Sequence, residues 1–357
     1  MKVCFVVGTL GRGGAEKQLV YMLRALRQAD IAARVLCLTR GESYEDEIRD
    51  AGVEVEWIGR RKNQAARLFD IIGNLRNTPA DIIQSSHFYT NIYTGIAGKL
   101  LRIPSIGAIR SDLTYELTDH RITGKWQLSL PRFLITNSET ARRAAIERGA
   151  APHSVEVVRN VVEIAACAKS RVPHQPLKIL FVGRLDKNKR ADRFVRLASI
   201  LTTRFPKLAL QFQIAGDGEL KNELENQARD LCLSPDKLQF LGVCQKMGEI
   251  YRQADILIST SEREGSPNAV LEAMAYGLPV AATNVSGTAE ILNEKRGLLA
   301  APDDENELVS HAAELILNRE TRMRFGQAGQ RYARQYHSLD SLRRNLSEIY
   351  ERMVGSK

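Results

Sequence analysis

Apolar residues come in short unbroken runs along this chain, each bounded by glycine, proline or charged residues. The runs at 3–7, 34–38, 53–58, 81–84, 105–109 and 133–136 are too short for helices. The stretches between them carry helical spacing. Apolar runs without alternation belong to strands covered on both faces, so strand–helix alternation predicts parallel sheets. A helix over about 15–26 follows the first glycine-rich loop. Asn137-Ser138-Glu139 opens another over 141–148, with Ser138 as N-cap. The pattern loosens over 161–176, where Pro173 and Pro176 fall, and this reads as a linker. Strands resume at 178–182, 208–215, 238–241, 256–259 and 279–282, and beyond Pro302 the chain is expected to be helical, ending in a helix over about 339–353. The expected organisation is α/β: a first domain over 1–165, a linker over 166–177, a second domain over 178–335, and a terminal segment over 336–357 that packs back on the first. Two doubly wound, Rossmann-like sheets in series set their carboxyl-end crevices face to face across a cleft, where ligands bind in such folds.

Length and composition narrow the class. The 357 residues suit two domains, and 44% apolar content suffices for two cores. An excess of 51 Lys+Arg over 42 Asp+Glu gives +9, which suits either an anionic acceptor or membrane surface or simply a solvated, solubilising face. Charge alone suggests nucleic acid, and no nucleic-acid partner is expected. Gly59-Arg60-Arg61-Lys62 leads into an amphipathic stretch over 65–75 that can rest on anionic lipid or serve as an ordinary surface helix. Cys4, Cys37, Cys167, Cys232 and Cys244 form no Cys-x-x-Cys pair, so neither a zinc site nor a redox dithiol is indicated; Cys4 and Cys37 read as reduced core residues. No signal peptide and no membrane-spanning run is expected, which favours a cytoplasmic protein, at most docked peripherally on the inner face of a membrane.

Three segments carry candidate chemistry. Gly8-Thr-Leu-Gly11-Arg-Gly13-Gly14-Ala-Glu16 follows a strand and opens a helix, so its amides are candidates for cradling an anion. It misses the dinucleotide fingerprint, because Glu16 stands where a third glycine belongs, and Arg40 rather than an acid ends the next strand. Gly183-Arg184-Leu-Asp-Lys187-Asn-Lys189-Arg190 sets several cations at a strand's carboxyl end, where they can neutralise a diphosphate. In Glu264-Gly265-Ser266-Pro267-Asn268-Ala269-Val270-Leu-Glu272, Ser266 reads as N-cap and Pro267 as first helical residue. The amides of Asn268, Ala269 and Val270 are then expected to form an anion site, flanked by two carboxylates suited to sugar and ribose hydroxyls.

With these segments, the chain resembles the retaining glycosyltransferases of the GT-B fold, family 4, often called group 1. The likeness runs over nearly the whole chain. It rests on Gly13-Gly14-Ala-Glu16, Gly183-Arg-Leu-x-x-x-Lys189, Ala215-Gly-Asp-Gly218, Phe240-Leu-Gly242, Glu264-x7-Glu272 and Ala273-Met-Ala-x-Gly277-x-Pro279. The resemblance implies that Glu272 binds the nucleotide ribose, Glu264 contacts the donor sugar, Arg184 and Lys189 stabilise the leaving diphosphate, and the backbone near Val243 reads the base. It also implies retention of configuration, no divalent metal and no cofactor beyond the donor, a nucleotide sugar with UDP favoured and GDP second. The acceptor is expected to be a glycan or lipid-linked glycan of polysaccharide, lipopolysaccharide or glycolipid assembly. No Asp-x-Asp occurs in the chain, and two cations with a helix end already fill a metal's Lewis-acid role.

One position departs from the family. Where many relatives carry a histidine, this chain has Arg110-Ser111-Asp112. Arg110 stays charged and cannot act as a base near neutral pH. Arg110, Asp112 and His87 are the acceptor-side candidates, with His120 a weaker one. Two other readings remain open at this stage: an NADP-dependent Rossmann oxidoreductase, and a catalytically degenerate relative acting as a partner subunit. The failed fingerprint opposes the first, and the intact Arg184, Lys189, Glu264 and Glu272 oppose the second.

Overall fold

The computed structural model describes residues 1–61, 63–119, 123–165 and 175–355. They form two compact units, Met1–Val161 with Leu339–Lys357, and Val162–Ser338. Lys62, His120, Cys167 and most of the expected linker (166–174) lie outside the described residues.

The first unit runs β1 (Lys2–Val7), α1 (Gly14–Gln28), β2 (Ala32–Cys37), α2 (Glu45–Asp50), β3 (Glu54–Trp57), α3 (Gln64–Asn77) and β4 (Ile82–Ser85). It continues with α4 (Asn91–Leu101), β5 (Ser105–Ile109), α5 (Leu113–Asp119), α6 (Gly124–Ser129), β6 (Phe133–Thr136), α7 (Glu139–Glu147) and β7 (Val155–Val157). All pairings are parallel, in the order β3-β2-β1-β4-β5-β6-β7. Successive side chains of β1 face opposite helical layers: Val3, Phe5 and Val7 pack towards α1, while Cys4 and Val6 meet Ile71, Ile72 and Leu75 of α3. Burial on both faces explains why these strands read as unbroken apolar runs. It also pushes the Cys4 thiol up to about 12 and raises that of Cys37. Ser138 caps α7, its hydroxyl accepting the Ala141 amide at 3.1 Å.

The second unit repeats the plan: β8 (Leu177–Val182), α8 (Ala191–Arg204), β9 (Leu210–Ala215), α9 (Lys221–Asp230), β10 (Leu238–Gly242), α10 (Met247–Gln253) and β11 (Ile256–Ser259). There follow α11 (Asn268–Ala275), β12 (Val280–Thr283), α12 (Ser286–Ile291), β13 (Leu298–Ala300), α13 (Glu305–Leu317) and α14 (Arg319–Tyr336). Its parallel sheet has the order β10-β9-β8-β11-β12-β13. Helix α15 (Leu339–Gly355) belongs to the first unit, where Leu342, Leu346, Ile349, Tyr350 and Met353 join the core beneath α1. In both sheets the order reverses beside the first strand, between β1 and β4 and between β8 and β11. Loops leaving the two strands at such a reversal diverge and open a crevice at their carboxyl ends. No described helix is long and apolar enough to cross a membrane.

Candidate active site

The crevice of the second unit is built by the loops after β8 and β11. They are laced together: Asn188 O accepts the Glu262 amide at 2.9 Å, and the Thr260 hydroxyl donates to the carbonyls of Lys189 and Arg190, both at 2.8 Å. Asp186 holds the cationic loop by accepting the amides of Asn188 and Lys189 at 3.0 Å. Glycines let the neighbouring strand ends close in. A Cβ on Gly216, whose φ is +150°, would stand 1.8 Å from Gly183 O, and one on Gly218 would stand 2.4 Å from Leu185 O. That close approach is the physical content of the Ala215-Gly-Asp-Gly218 motif.

Lys189 and Glu264 meet in this crevice. The Lys189 ammonium donates to Glu264 Oε1, and the Ser261 hydroxyl donates to the same oxygen at 2.7 Å. Both side chains are largely shielded, Lys189 at 26% and Glu264 at 11% exposure, so solvent screens the pair less than an open surface bridge. Arg184, from the same loop as Lys189, is exposed and makes no ion pair among the described residues. Arg190 is committed elsewhere, bonded to Asp192 and Glu262, which raises its pKa.

Helix α11 begins one residue later than its sequence suggests. Pro267, with ψ 98°, occupies the N-cap and its carbonyl accepts the Leu271 amide, so Ser266 lies before the cap and Asn268 is the first helical residue. Proline's ring fixes φ only; its extended ψ keeps it outside the helix. The shift leaves Asn268, Ala269 and Val270 as the first-turn amides, the positions an intrahelical ladder cannot serve. Glu272 follows on the next turn, and Tyr251 of α10 donates to its Oε2 at 2.9 Å. Tyr251 is fully buried and stacked on Tyr276 at 5.5 Å; burial, reinforced by the Glu272 charge, raises its pKa well above the ordinary phenol value. Val243, just after β10, is 53% exposed at the same edge of the sheet. Gly265 is pinned from behind, since the Gly287 amide donates to Glu264 O at 2.9 Å.

The crevice of the first unit is organised differently. The amides of Gly8, Leu10 and Gly11 in its glycine-rich loop are already taken. Gly8 N donates to His87 Nδ1 at 3.2 Å, Leu10 N to the Glu42 carboxylate, and Gly11 N to Thr9 Oγ1 at 3.1 Å. Gly13 is the N-cap of α1, and a Cβ there would meet Glu16 Oε2 at 2.1 Å, so the helix's own carboxylate lies over its positive end. Gly14 also has a partner. This loop therefore holds its own anion at its mouth, contrary to the expectation of amides open to a ligand.

The acceptor-side candidates take unexpected tasks. His87 accepts from Gly8 through Nδ1, which leaves the proton on Nε2 to donate to Glu16 Oε1 at 3.1 Å. With both ring nitrogens engaged, His87 braces the loop and has no lone pair to offer as a base. Asp112 caps α5, accepting the amides of Thr114 at 2.8 Å and Tyr115 at 3.1 Å. Arg110 keeps some surface access, but its guanidinium turns inward to Val158 O at 3.3 Å and Asn160 Oδ1 at 3.4 Å. Burial pulls its pKa down to about 10, and no carboxylate among the described residues pairs with it. Beside it, Asn137 donates to Arg110 O at 2.8 Å while its own Oδ1 is buried without a partner. Among the described residues, no three His, Cys, Asp or Glu side chains are grouped to hold a metal.

Comparison with known proteins settles the family. The model for glycosyl transferases group 1 matches residues 165–332, and that for glycosyltransferase family 4 matches 12–166. This chain is a group 1, family 4 glycosyltransferase. An alpha-1,4-N-acetyl-D-galactosaminyltransferase of Campylobacter jejuni, named for a PP-undecaprenol-linked glycan, is 26% identical to it over 90% of both chains. An Escherichia coli alpha-1,3-galactosyltransferase, named for UDP-Gal and a diphosphoundecaprenol acceptor, is 25% identical over 66% of both. The fold matches that of Anabaena HepE in complex with UDP, with a TM-score of 0.86 at 19% identity over 99% of this chain and 100% of the other. TarM of S. aureus also matches, with a TM-score of 0.79 at 13% identity over 98% and 99%. The glycosyltransferase thus has the α/β GT-B fold.

Sequence reasoning missed several residues that shape the two crevices. Tyr251, Ser261 and Gly287 lie outside the quoted motifs, and their partners come from 3 to 23 positions away in the chain. Glu42 and the Glu16–His87 pair join segments 32 to 71 residues apart. Only Gly287 left a trace, as a small residue at a helix start just after a strand.

Proposed function

We propose that this glycosyltransferase moves a sugar from a UDP-sugar to a glycan or lipid-linked acceptor, with retention of configuration and without a metal ion. The observation that carries the reading is the meeting of Lys189 and Glu264 where the second sheet reverses its order, eight residues ahead of Glu272. In the transfer the bond from sugar C1 to the terminal phosphate oxygen breaks, and the electron pair leaves with the diphosphate. Lys189, Arg184 and the amide end of α11 offset that growing charge. The acceptor oxygen bonds to C1 from the same face, and its proton passes to the departing phosphate oxygen, so no enzymatic nucleophile is needed. Glu264 binds hydroxyls of the donor sugar, Glu272 those of the ribose, and the backbone at Val243 the base.

The relatives support this reading: UDP is bound in HepE, and the bacterial relatives are named for undecaprenol-linked acceptors. On the acceptor side, Arg110 is a cation without a counter-carboxylate among the described residues and keeps some surface access, which favours an anionic guest. A net charge of +9 fits work at the inner face of an anionic membrane. The family separates the chain from Rossmann oxidoreductases.

The test is thermal unfolding with UDP, GDP, ADP and NADPH added separately. A ligand at ~100 times its Kd adds roughly 2.7 kcal/mol to the native state. The expected result is a shift with UDP that is lost in Glu272→Ala. A shift with NADPH and none with any nucleoside diphosphate overturns the reading.

A further inference from the structure

At the amino ends of β5, β6 and β7, the edge of the first sheet opposite its crevice, lies an open cavity of about 640 Å³. Four basic side chains converge on it from three segments: Lys99 and Arg102 from the end of α4, Arg132 from the loop before β6, and His153 from the turn before β7. No aspartate or glutamate lines it, while Ile103 and Leu130 supply an apolar wall. Lys99 and Arg102 bring two cations together at one helix end, and like charges so close are stabilised when an anion joins them. Lys99 and Arg102 complement the carbonyl end of α4, but Arg132 and His153 reach the cavity from outside that helix.

Arg102 adds a separate observation. It is the C-cap of α4 and sits in the left-handed region, at φ 56° and ψ 37°. Glycine is the usual occupant of that conformation, which an L side chain adopts only at a cost. Asp30 and Cys232 adopt the same conformation just after α1 and α9, so this is how helices of the chain end, and here it sets Arg102 at the cavity rim.

We propose that this cavity is an anion site that takes the phosphate group of a phosphate ester or diphosphate, with its apolar wall against the body that carries the phosphate. The phosphate can belong to a lipid headgroup or to a soluble molecule, and the experiment separates the two. The full chain and its Lys99→Gln/Arg102→Gly variant are titrated calorimetrically with inorganic pyrophosphate. Both are also sedimented with vesicles of phosphatidylcholine holding about a third phosphatidylglycerol. A lipid site predicts vesicle partition about thirtyfold weaker in the variant, the effect of two cations lost beside an anionic surface. A site for soluble phosphate predicts that the variant loses one equivalent of pyrophosphate and keeps its vesicle behaviour.

Stability gives the second readout. Glycine relieves the left-handed strain, so Arg102→Gly alone is expected to melt no lower than wild type while binding more weakly. Pyrophosphate stoichiometry and vesicle partition both equal to wild type overturn the proposal. A lower melting temperature with unchanged binding also overturns it, since the arginine is then structural.

Discussion

Gly287→Ala tests whether the position of the Glu264 loop governs turnover. A methyl on Gly287 would stand 2.3 Å from Gly265 O, 2.5 Å from Gly265 C and 2.7 Å from Glu264 O. All three are backbone atoms and cannot swing aside. A carbon and a carbonyl oxygen rest no closer than about 3.3 Å, so the loop must withdraw by about 1 Å. The same movement stretches the 2.9 Å bond from Gly287 N to Glu264 O. It carries Glu264 away from Lys189 and Gly265 away from the first turn of α11. A misplacement of ~1 Å at a reacting centre costs on the order of 100-fold in rate, or ~2.7 kcal/mol. The assay is the steady-state release of nucleoside diphosphate with the donor and acceptor that the wild type turns over. kcat/KM should fall about 100-fold, and affinity for the bare nucleotide should fall less, because Glu272 and its Tyr251 partner stand one turn away. Gly73→Ala is the control. No atom lies within 4 Å of its Cβ, and inside α3 alanine should add ~0.5–1 kcal/mol of stability. A folded Gly287→Ala enzyme within about threefold of wild-type turnover would refute the reasoning.

Three further outcomes follow from the same geometry. Tyr251→Phe removes the hydroxyl that holds Glu272 Oε2 and should weaken nucleotide binding about 3- to 10-fold, the worth of one hydrogen bond, measured by calorimetry. Lys189→Met and Glu264→Gln should be strongly non-additive, because each removes the other's partner; kcat for the double variant near that of the worse single variant shows this, and a multiplicative loss denies it. Burial raises the Glu42 pKa, but bonds from Thr39, Leu10 and Thr9 outweigh it and leave the carboxyl below its ordinary value. A folded pKa below the unfolded one gives stability that is complete above the unfolded pKa, about 4.3, and is lost as pH falls through the folded value. Glu42→Ala should therefore cost roughly 1.5–3 kcal/mol at pH 7 in urea unfolding, with the gap to wild type closing below about pH 4.

The fold was legible wherever strands are buried on both faces. Strands at 105–109, 133–136 and 256–259 match to the residue, because an apolar run between turn formers leaves few alternatives. Val155–Val157 and Leu298–Ala300 escaped notice. Each is three residues long and closes one edge of its sheet, where a single parallel partner suffices and the pattern is too short to count. At α11 the sequence pointed to a serine cap, and the backbone shifted the start to Asn268 because the ψ of Pro267 is invisible in composition.

The sites divide along the same physical line. Glycine-rich loops after a strand announce free amides, but whether those amides remain free depends on side chains brought in from elsewhere. In the second unit Lys189 meets Glu264, four residues ahead of the first residue of α11. In the first unit Glu42, His87 and Glu16 arrive from three segments and fill the equivalent place. Two loops of like sequence character thus differ in charge at their mouths, and on the proposed reading it is the loop of the second unit that takes the diphosphate.

The pairing of Lys189 with Glu264 gives that loop a further property. A diphosphate that engages the ammonium competes with the carboxylate, because two negative groups drawn to one cation repel each other. Glu264 is then left with Ser261 and free lone pairs next to the departing phosphate, where the donor sugar's hydroxyls lie on the proposed reading. A bare nucleotide breaks the ion pair and offers the carboxylate nothing in return, whereas the whole donor supplies hydroxyls to replace the lost ammonium. On the proposed reading, one exchange of partners therefore couples neutralisation of the leaving group to orientation of the sugar, and intact donor should bind more tightly than the product nucleotide.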